Sequence, residues 1–270
     1  MFKSLVLVPI LPLLFVMTSS CDPYAILRKK GSVAEKDSAA FKYYENGKYE
    51  QALYLFEELM PIYRGKPRAR DIFYRYAWCQ YRMKEVISAA FYFDDFTRQY
   101  PRDTAAETFR FMNAYCFYLL SDPSYLDQNY TKQALEAMQL FLNAYPYSPR
   151  REKCNEYIYE LRERLAEKEF EQANLYHRIG YHKSAVAAFQ NVILEFPDSK
   201  FREDCQFLLF KSAVLLASAS IPDLKESRYL EARSHYEKFV DKFPDSKFVR
   251  EAENLYETAL KQLEKIQTEN

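Results

Sequence analysis

Glycine is nearly missing from this chain: four among 270 residues, at Gly31, Gly47, Gly65 and Gly180. No glycine-rich phosphate loop, nucleophile elbow or HExxH pair appears. Net charge is missing too, because 38 basic side chains balance 38 acidic ones. That balance gives no broad electrostatic footprint for nucleic acid. Histidine is limited to His177, His182 and His235. The first two stand five apart across Gly180 rather than at the i, i+4 spacing of a helical zinc pair, so neither a metal nor another cofactor is expected. Long Val/Ile/Thr alternations are also absent, and abundant Ala, Leu, Glu and Lys favour helices. With no catalytic constellation, the chain reads as a non-enzyme.

An apolar run long enough to span a bilayer is missing as well. The N-terminus reads MFKSLVLVPILPLLFVMTSSCDPY. Its apolar stretch, Leu5–Met17, is interrupted by Pro9 and Pro12, whereas a spanning helix needs about 20 apolar residues. With Lys3 ahead of it, residues 1–20 read as a secretory signal peptide. Thr18-Ser19-Ser20-Cys21 resembles a bacterial lipoprotein box, in which the cysteine is acylated and becomes the mature N-terminus. Thr18 departs from the aliphatic residue usual there, and an ordinary cleaved signal is the alternative. Asp22, the next residue, leaves inner versus outer membrane open. Residues 21–32 read as a lipidated cysteine and linker reaching at most about 35 Å when extended. Within it, Arg28-Lys29-Lys30 offers charge to anionic headgroups, or is plain polar linker. The remaining cysteines, Cys79, Cys116, Cys154 and Cys205, are widely separated within apolar helical patterns. They read as buried small hydrophobes rather than a disulfide framework.

What the chain has in abundance is repetition. FPDSKF occurs at Phe196–Phe201 and again at Phe243–Phe248. Aligning on its proline brings Pro101, Pro146, Pro197 and Pro244 into register. Twelve residues earlier stand Ala89, Ala134, Ala185 and Ala232. Four after each alanine come Phe93, Met138, Phe189 and Tyr236; three further on come Phe96, Phe141, Val192 and Phe239. Those spacings share one helical face, with alanine where a neighbouring helix approaches closely. A copy without proline carries Ala52, Phe56 and Leu59. Preceding helices place Ala40, Ala77 and Ala173 twelve before the alanine. Ala114 and Ala213 fit only if SDPSYLDQNYTK and SASIPDLKES are lengthened loops. The hexapeptide is then punctuation: phenylalanine closes a helix, proline stops it, and Asp-Ser oxygens cap the next one.

These spacings resemble the tetratricopeptide repeat, in which a glycine precedes the alanine by five and a proline follows it by twelve. Gly47 with Tyr49, Ala52 and Phe56, and Gly180 with Ala185, Phe189 and Pro197, fit that pattern. The expected fold is all-α, a tetratricopeptide-repeat superhelix of about five helical hairpins spanning about Val33–Leu260. Residues 33–148 hold repeats 1–3, residues 149–260 hold repeats 4–5, and 261–270 form a polar tail. Lipoprotein box, short linker and five irregular repeats together resemble the BamD family of outer-membrane lipoproteins. The stretch LRERLAEKEFEQANLYHRIGYHKSAVAAFQ at Leu161–Gln190 carries the likeness most strongly. The resemblance implies a palmitate-bearing scaffold on the periplasmic face of the outer membrane. It also implies binding to unfolded outer-membrane proteins, to a BamA-like periplasmic domain and to other assembly lipoproteins.

In such a repeat, helix-A positions beside the small residue face the concave surface. They select Phe41 and Tyr44, then Tyr74, Trp78 and Tyr81, then Phe111, Tyr115 and Tyr118, with Asp37, Asp71 and Arg82 among the polar members. The fourth repeat puts Glu167, Phe170, Asn174, His177 and Arg178 there, a more polar set. Aromatics offer rigid contact area with a polar tip, suited to extended strands ending in aromatic residues. Packing between repeats is the competing role for each ring. Glu160 and Arg164 are expected to pair at i, i+4 on a solvated face. A glycan-binding or nutrient-uptake lipoprotein, or a regulator of cell-wall enzymes, would be built on the same repeat.

Overall fold

A computed structural model describes residues 23–269, and helices account for all their regular structure. The chain divides into two compact units at Met83/Lys84. The first contains α1 (Pro23–Lys30), α2 (Val33–Glu45), α3 (Tyr49–Tyr63) and α4 (Arg68–Arg82). The second begins with α5 (Val86–Gln99), α6 (Ala106–Leu120), α7 (Asn129–Ala144) and α8 (Arg151–Arg178). It continues with α9 (His182–Glu195), α10 (Arg202–Ser218), α11 (Pro222–Lys242) and α12 (Val249–Glu269). The leader, Cys21 and Asp22 lie outside the described residues. Among those described, no helix is long and apolar enough to cross a membrane.

In the first unit, α2 starts on a capping box: Glu35 N donates to Ser32 Oγ at 3.3 Å, and Ser32 N donates to Glu35 Oε2 at 2.8 Å. The hairpin to α3 turns at Gly47, whose φ of 73° favours a residue without a Cβ. Ala40 and Ala52 are fully buried where α2 meets α3, and Phe56, Leu55 and Leu59 fill the space beside them. Most of the segment read as a linker is helical. In α1, the Tyr24 ring packs edge-on against Tyr43 at 5.5 Å, and Arg28 lies over the Tyr54 ring at 5.4 Å. A helix advances about 1.5 Å per residue, so this stretch has far less reach than an extended tether.

The second unit stacks the hairpins α6/α7, α8/α9 and α10/α11, with α5 against α6 and α12 against α10 and α11. Every register alanine predicted for it is buried: Ala89, Ala114, Ala134, Ala173, Ala185, Ala213 and Ala232. Phe93, Phe96, Met138, Phe141, Phe189, Val192 and Phe239 are buried too, while Tyr236 is half-buried against Tyr256 at 4.0 Å. The four residues before the register prolines leave the α region in the same way. Tyr100, Tyr145, Phe196 and Phe243 have φ between −126° and −131° and ψ between 59° and 66°.

Three expectations need correction. The FPDSKF serine does not cap the next helix at its N-cap, which is Phe201 in α10 and carries no side-chain cap. Instead Ser199 Oγ accepts from Phe201 N at 3.2 Å and donates to Glu163 on α8, the first helix of its own hairpin, at 3.2 Å. Ser246 repeats this with Phe248 N and Glu203, and Ser148 with Arg150 N and Glu107. The second phenylalanine stacks on that first helix as well: Phe201 on Phe170 at 4.9 Å, Phe248 on Phe207 at 4.5 Å. Next, SASIPDLKES is mostly not a loop. Pro222 stands at the first turn of α11, where its missing N–H is harmless, and the insertion lengthens that helix. Finally, the expected polar tail is the end of α12, whose Leu263 is buried in the terminal core.

Candidate functional site

The selected aromatics fall on both units, and all eight are half-buried. In the first unit, Tyr74, Trp78 and Tyr81 recur at i, i+4 and i+7 along α4, which puts them on one face. Trp78 lies 6.5 Å from Tyr74 and 5.8 Å, edge-on, from Tyr81. Arg70 covers the Tyr74 ring at 5.1 Å and Arg82 the Trp78 ring at 5.9 Å. On α2, Phe41 packs edge-on against Phe56 at 5.3 Å. Two α4 guanidiniums cover it, Arg68 at 3.8 Å and Arg75 at 4.4 Å. Asp37 holds Arg68 in an ion pair at 3.2 Å, and Arg70 pairs with Asp71 at 3.1 Å. Arg75 also lies 5.7 Å from the Tyr44 ring centre. Burial, with smaller contributions from Cys79 and Tyr74, pushes the Tyr44 hydroxyl up to about 12.

In the second unit, Phe111, Tyr115 and Tyr118 repeat the i, i+4, i+7 spacing along α6. Their rings lie nearly parallel: Phe111 to Tyr115 at 6.0 Å and 6°, Tyr115 to Tyr118 at 5.9 Å and 16°. Tyr157 of α8, which the helix-A rule could not select, completes the row at 5.5 Å from Tyr115 and 4.2 Å from Tyr118. Its signal was available only through the α6/α7/α8 packing order, not through spacing. Glu160 and Arg164 are diverted from the expected pair. Tyr118 Oη donates to Glu160 at 2.5 Å, while Arg164 donates to Ser121 Oγ at 2.7 Å. Burial first, then that bond to Glu160, raises the Tyr118 hydroxyl above its ordinary value. At the row's other end, Arg150 lies 5.4 Å from the Phe111 ring and pairs with Glu107 at 3.3 Å.

The fourth-repeat ring packs on its core as Phe111 does on Phe141 at 5.7 Å. Phe170 is committed to Phe201 and Phe189, and His177 Nδ1 shares a hydrogen bond with Ser212 Oγ at 2.8 Å. Cys79, Cys116, Cys154 and Cys205 are buried free thiols. Each aromatic row presents ring surface framed by carboxylates and guanidiniums.

The family described as YfiO, outer membrane lipoprotein, matches residues 34–212, from the first turn of α2 into α10. The chain belongs to that family. The YfiO match spans both aromatic rows. The chain is also 25% identical over 207 residues to a protein of Aquifex aeolicus (strain VF5) named as a candidate outer membrane protein assembly factor BamD. That alignment covers 74% of this chain and 66% of the relative, so the chain spans just under two thirds of the relative's length. Among solved structures, the TPR domain of P58(IPK) aligns with a TM-score of 0.41 at 15% identity, covering 91% of this chain and 63% of that one. A TPR repeats protein of Bacteroides fragilis aligns with a TM-score of 0.40 at 11% identity, covering 86% and 99%. The repeat fold follows from the chain's own paired helices and buried alanines.

Proposed function

We propose that this chain is a non-enzymatic scaffold in outer-membrane protein assembly, tethered to the periplasmic face of the outer membrane by an acylated Cys21. Its aromatic rows bind the C-terminal strands of unfolded outer-membrane proteins, and its later repeats dock a BamA-like periplasmic domain and other assembly lipoproteins. Membership of the YfiO family supports the setting. The observation that carries the client-binding part is the α6/α8 row, in which four half-buried rings share one surface and Tyr118 is pinned to Glu160. A row held in place before binding loses little side-chain freedom when a strand's terminal aromatic seats on it. The flanking groups, Glu160 and Arg150, supply an acceptor and a donor for strand backbone.

The test is fluorescence anisotropy with a labelled barrel-terminal peptide. Tyr115→Ser combined with Tyr157→Ser is expected to weaken binding about tenfold or more, as loss of central aromatic anchors does. Unchanged affinity, or retention of polysaccharide in place of peptide, contradicts the reading. Palmitate labelling that persists in Cys21→Ser contradicts the anchor.

A further inference from the structure

The second unit carries another surface that neither aromatic row uses. A groove of about 700 Å³ runs between α5 and α7 over α6. Ile87 and Phe91, at i and i+4, form one wall and are 61% and 57% exposed; Leu140, 52% exposed, stands on the other. The floor is already built: Phe117 stacks near Tyr130 at 6.4 Å, and Asn113 donates to Ala90 O at 2.9 Å. Scattered exposed apolar side chains are ordinary, but three gathered around one groove are not.

Charge supplies the second observation. The charged side chains lining the groove are all carboxylates, Asp94, Asp127 and Glu136. Arg98 pairs with Asp94 at 2.6 Å from one turn further along α5, outside the lining. The whole chain has zero formal charge, so this local excess does not follow from its composition. The Ser121–Gln128 insertion closes one end and is firmly held. Gln128 is buried and donates to Pro123 O at 2.8 Å, Thr131 donates to Gln128 at 2.7 Å, and Lys168 donates to Leu126 O at 2.6 Å. The insertion thereby fixes Asp127 at the mouth.

We propose that the α5/α7 groove docks a basic amphipathic helix of a partner protein, whose apolar stripe seats between Ile87, Phe91 and Leu140 while flanking Lys and Arg meet Asp127 and Glu136. Two helical walls with an apolar floor make a seat for a third helix, and the acidic rim selects the sign of its flanks. The docking is independent of client binding at the aromatic rows, so a barrel-terminal peptide does not compete for it.

The experiment uses the full chain in detergent and a labelled amphipathic peptide of about five helical turns, with leucines on one stripe and lysines flanking it. A second peptide carries glutamate in place of every lysine. The lysine peptide is expected to bind at least about tenfold more tightly at low salt and to lose that advantage as salt rises. Phe91→Ser with Leu140→Ser should weaken it about tenfold, and Asp127→Asn with Glu136→Gln should weaken it severalfold and flatten its salt dependence. These side chains are at the surface, and unchanged thermal melting confirms folded variants. The proposal is overturned if neither peptide binds, if both bind equally, or if the substitutions leave binding unchanged. Dissociation of a dimer by Phe91→Ser would instead assign the groove to a second copy, and loss of binding to zwitterionic vesicles would assign it to lipid; either result also overturns it.

Discussion

Lys84 shows how strictly the turn before a register helix is specified. Gly47 and Gly180 precede their register alanines by five residues, with φ of 73° and 82°; Lys84 holds the same place before Ala89 with φ of 65°. A side chain there is strained by about 1–2 kcal/mol. Lys84→Gly is therefore expected to raise stability by about 1 kcal/mol, read as a higher urea midpoint at unchanged slope. The cysteines give a second prediction. Burial pushes Cys79, Cys116 and Cys205 up to about 12 from an ordinary 9.0. A group whose folded value is raised stabilises fully below its unfolded value and loses that contribution as pH climbs to the folded one. Their contribution should hold up to about pH 9 and fall from there toward pH 12. At neutral pH, dithionitrobenzoate should react with these thiols only after denaturant is added; prompt reaction in the native protein would contradict their burial.

At the scale of elements, alanine register and proline stops were legible because they are local: a helix face and a forbidden backbone region follow from neighbours in sequence. The serine tie was not. Its partner lies 36 residues away for Ser199, 41 for Ser148 and 43 for Ser246, so no fixed spacing announces it. Ser199→Ala should cost about 1 kcal/mol by removing the bond to Glu163, and Glu163→Gln, which leaves Ser199 a neutral acceptor, should cost less. A measured change near zero in Ser199→Ala would make the tie incidental. Ala185→Leu tests the close approach of α8 and α9, because Ala185 is fully buried. Overpacking there should cost about 1–3 kcal/mol in chemical denaturation. The ends of the array misled for a different reason. Residues 23–30 and 261–269 look polar enough for linker and tail, yet Tyr24 packs on Tyr43, and Leu263 with Ile266 packs on the terminal core.

For the whole molecule, pattern alone reached the repeat class and pointed toward the YfiO family, while the packing of the proposed rows was only partly legible in the sequence. Position rules chose Phe111, Tyr115 and Tyr118 but could not select Tyr157, which packs against two of them from α8. In a chain this rich in tyrosine and phenylalanine, ring identity does not separate surface from core; the neighbouring helix does. The central claim, that aromatic rows hold the strands of unfolded outer-membrane proteins, is tested most directly by site-specific photocrosslinking. Crosslinkers at Tyr74, Trp78 and Tyr115 are compared with one at Leu194, an exposed α9 position apart from both rows. Barrel C-terminal peptides should label the first three and leave Leu194 unlabelled; labelling confined to Leu194 would contradict the account.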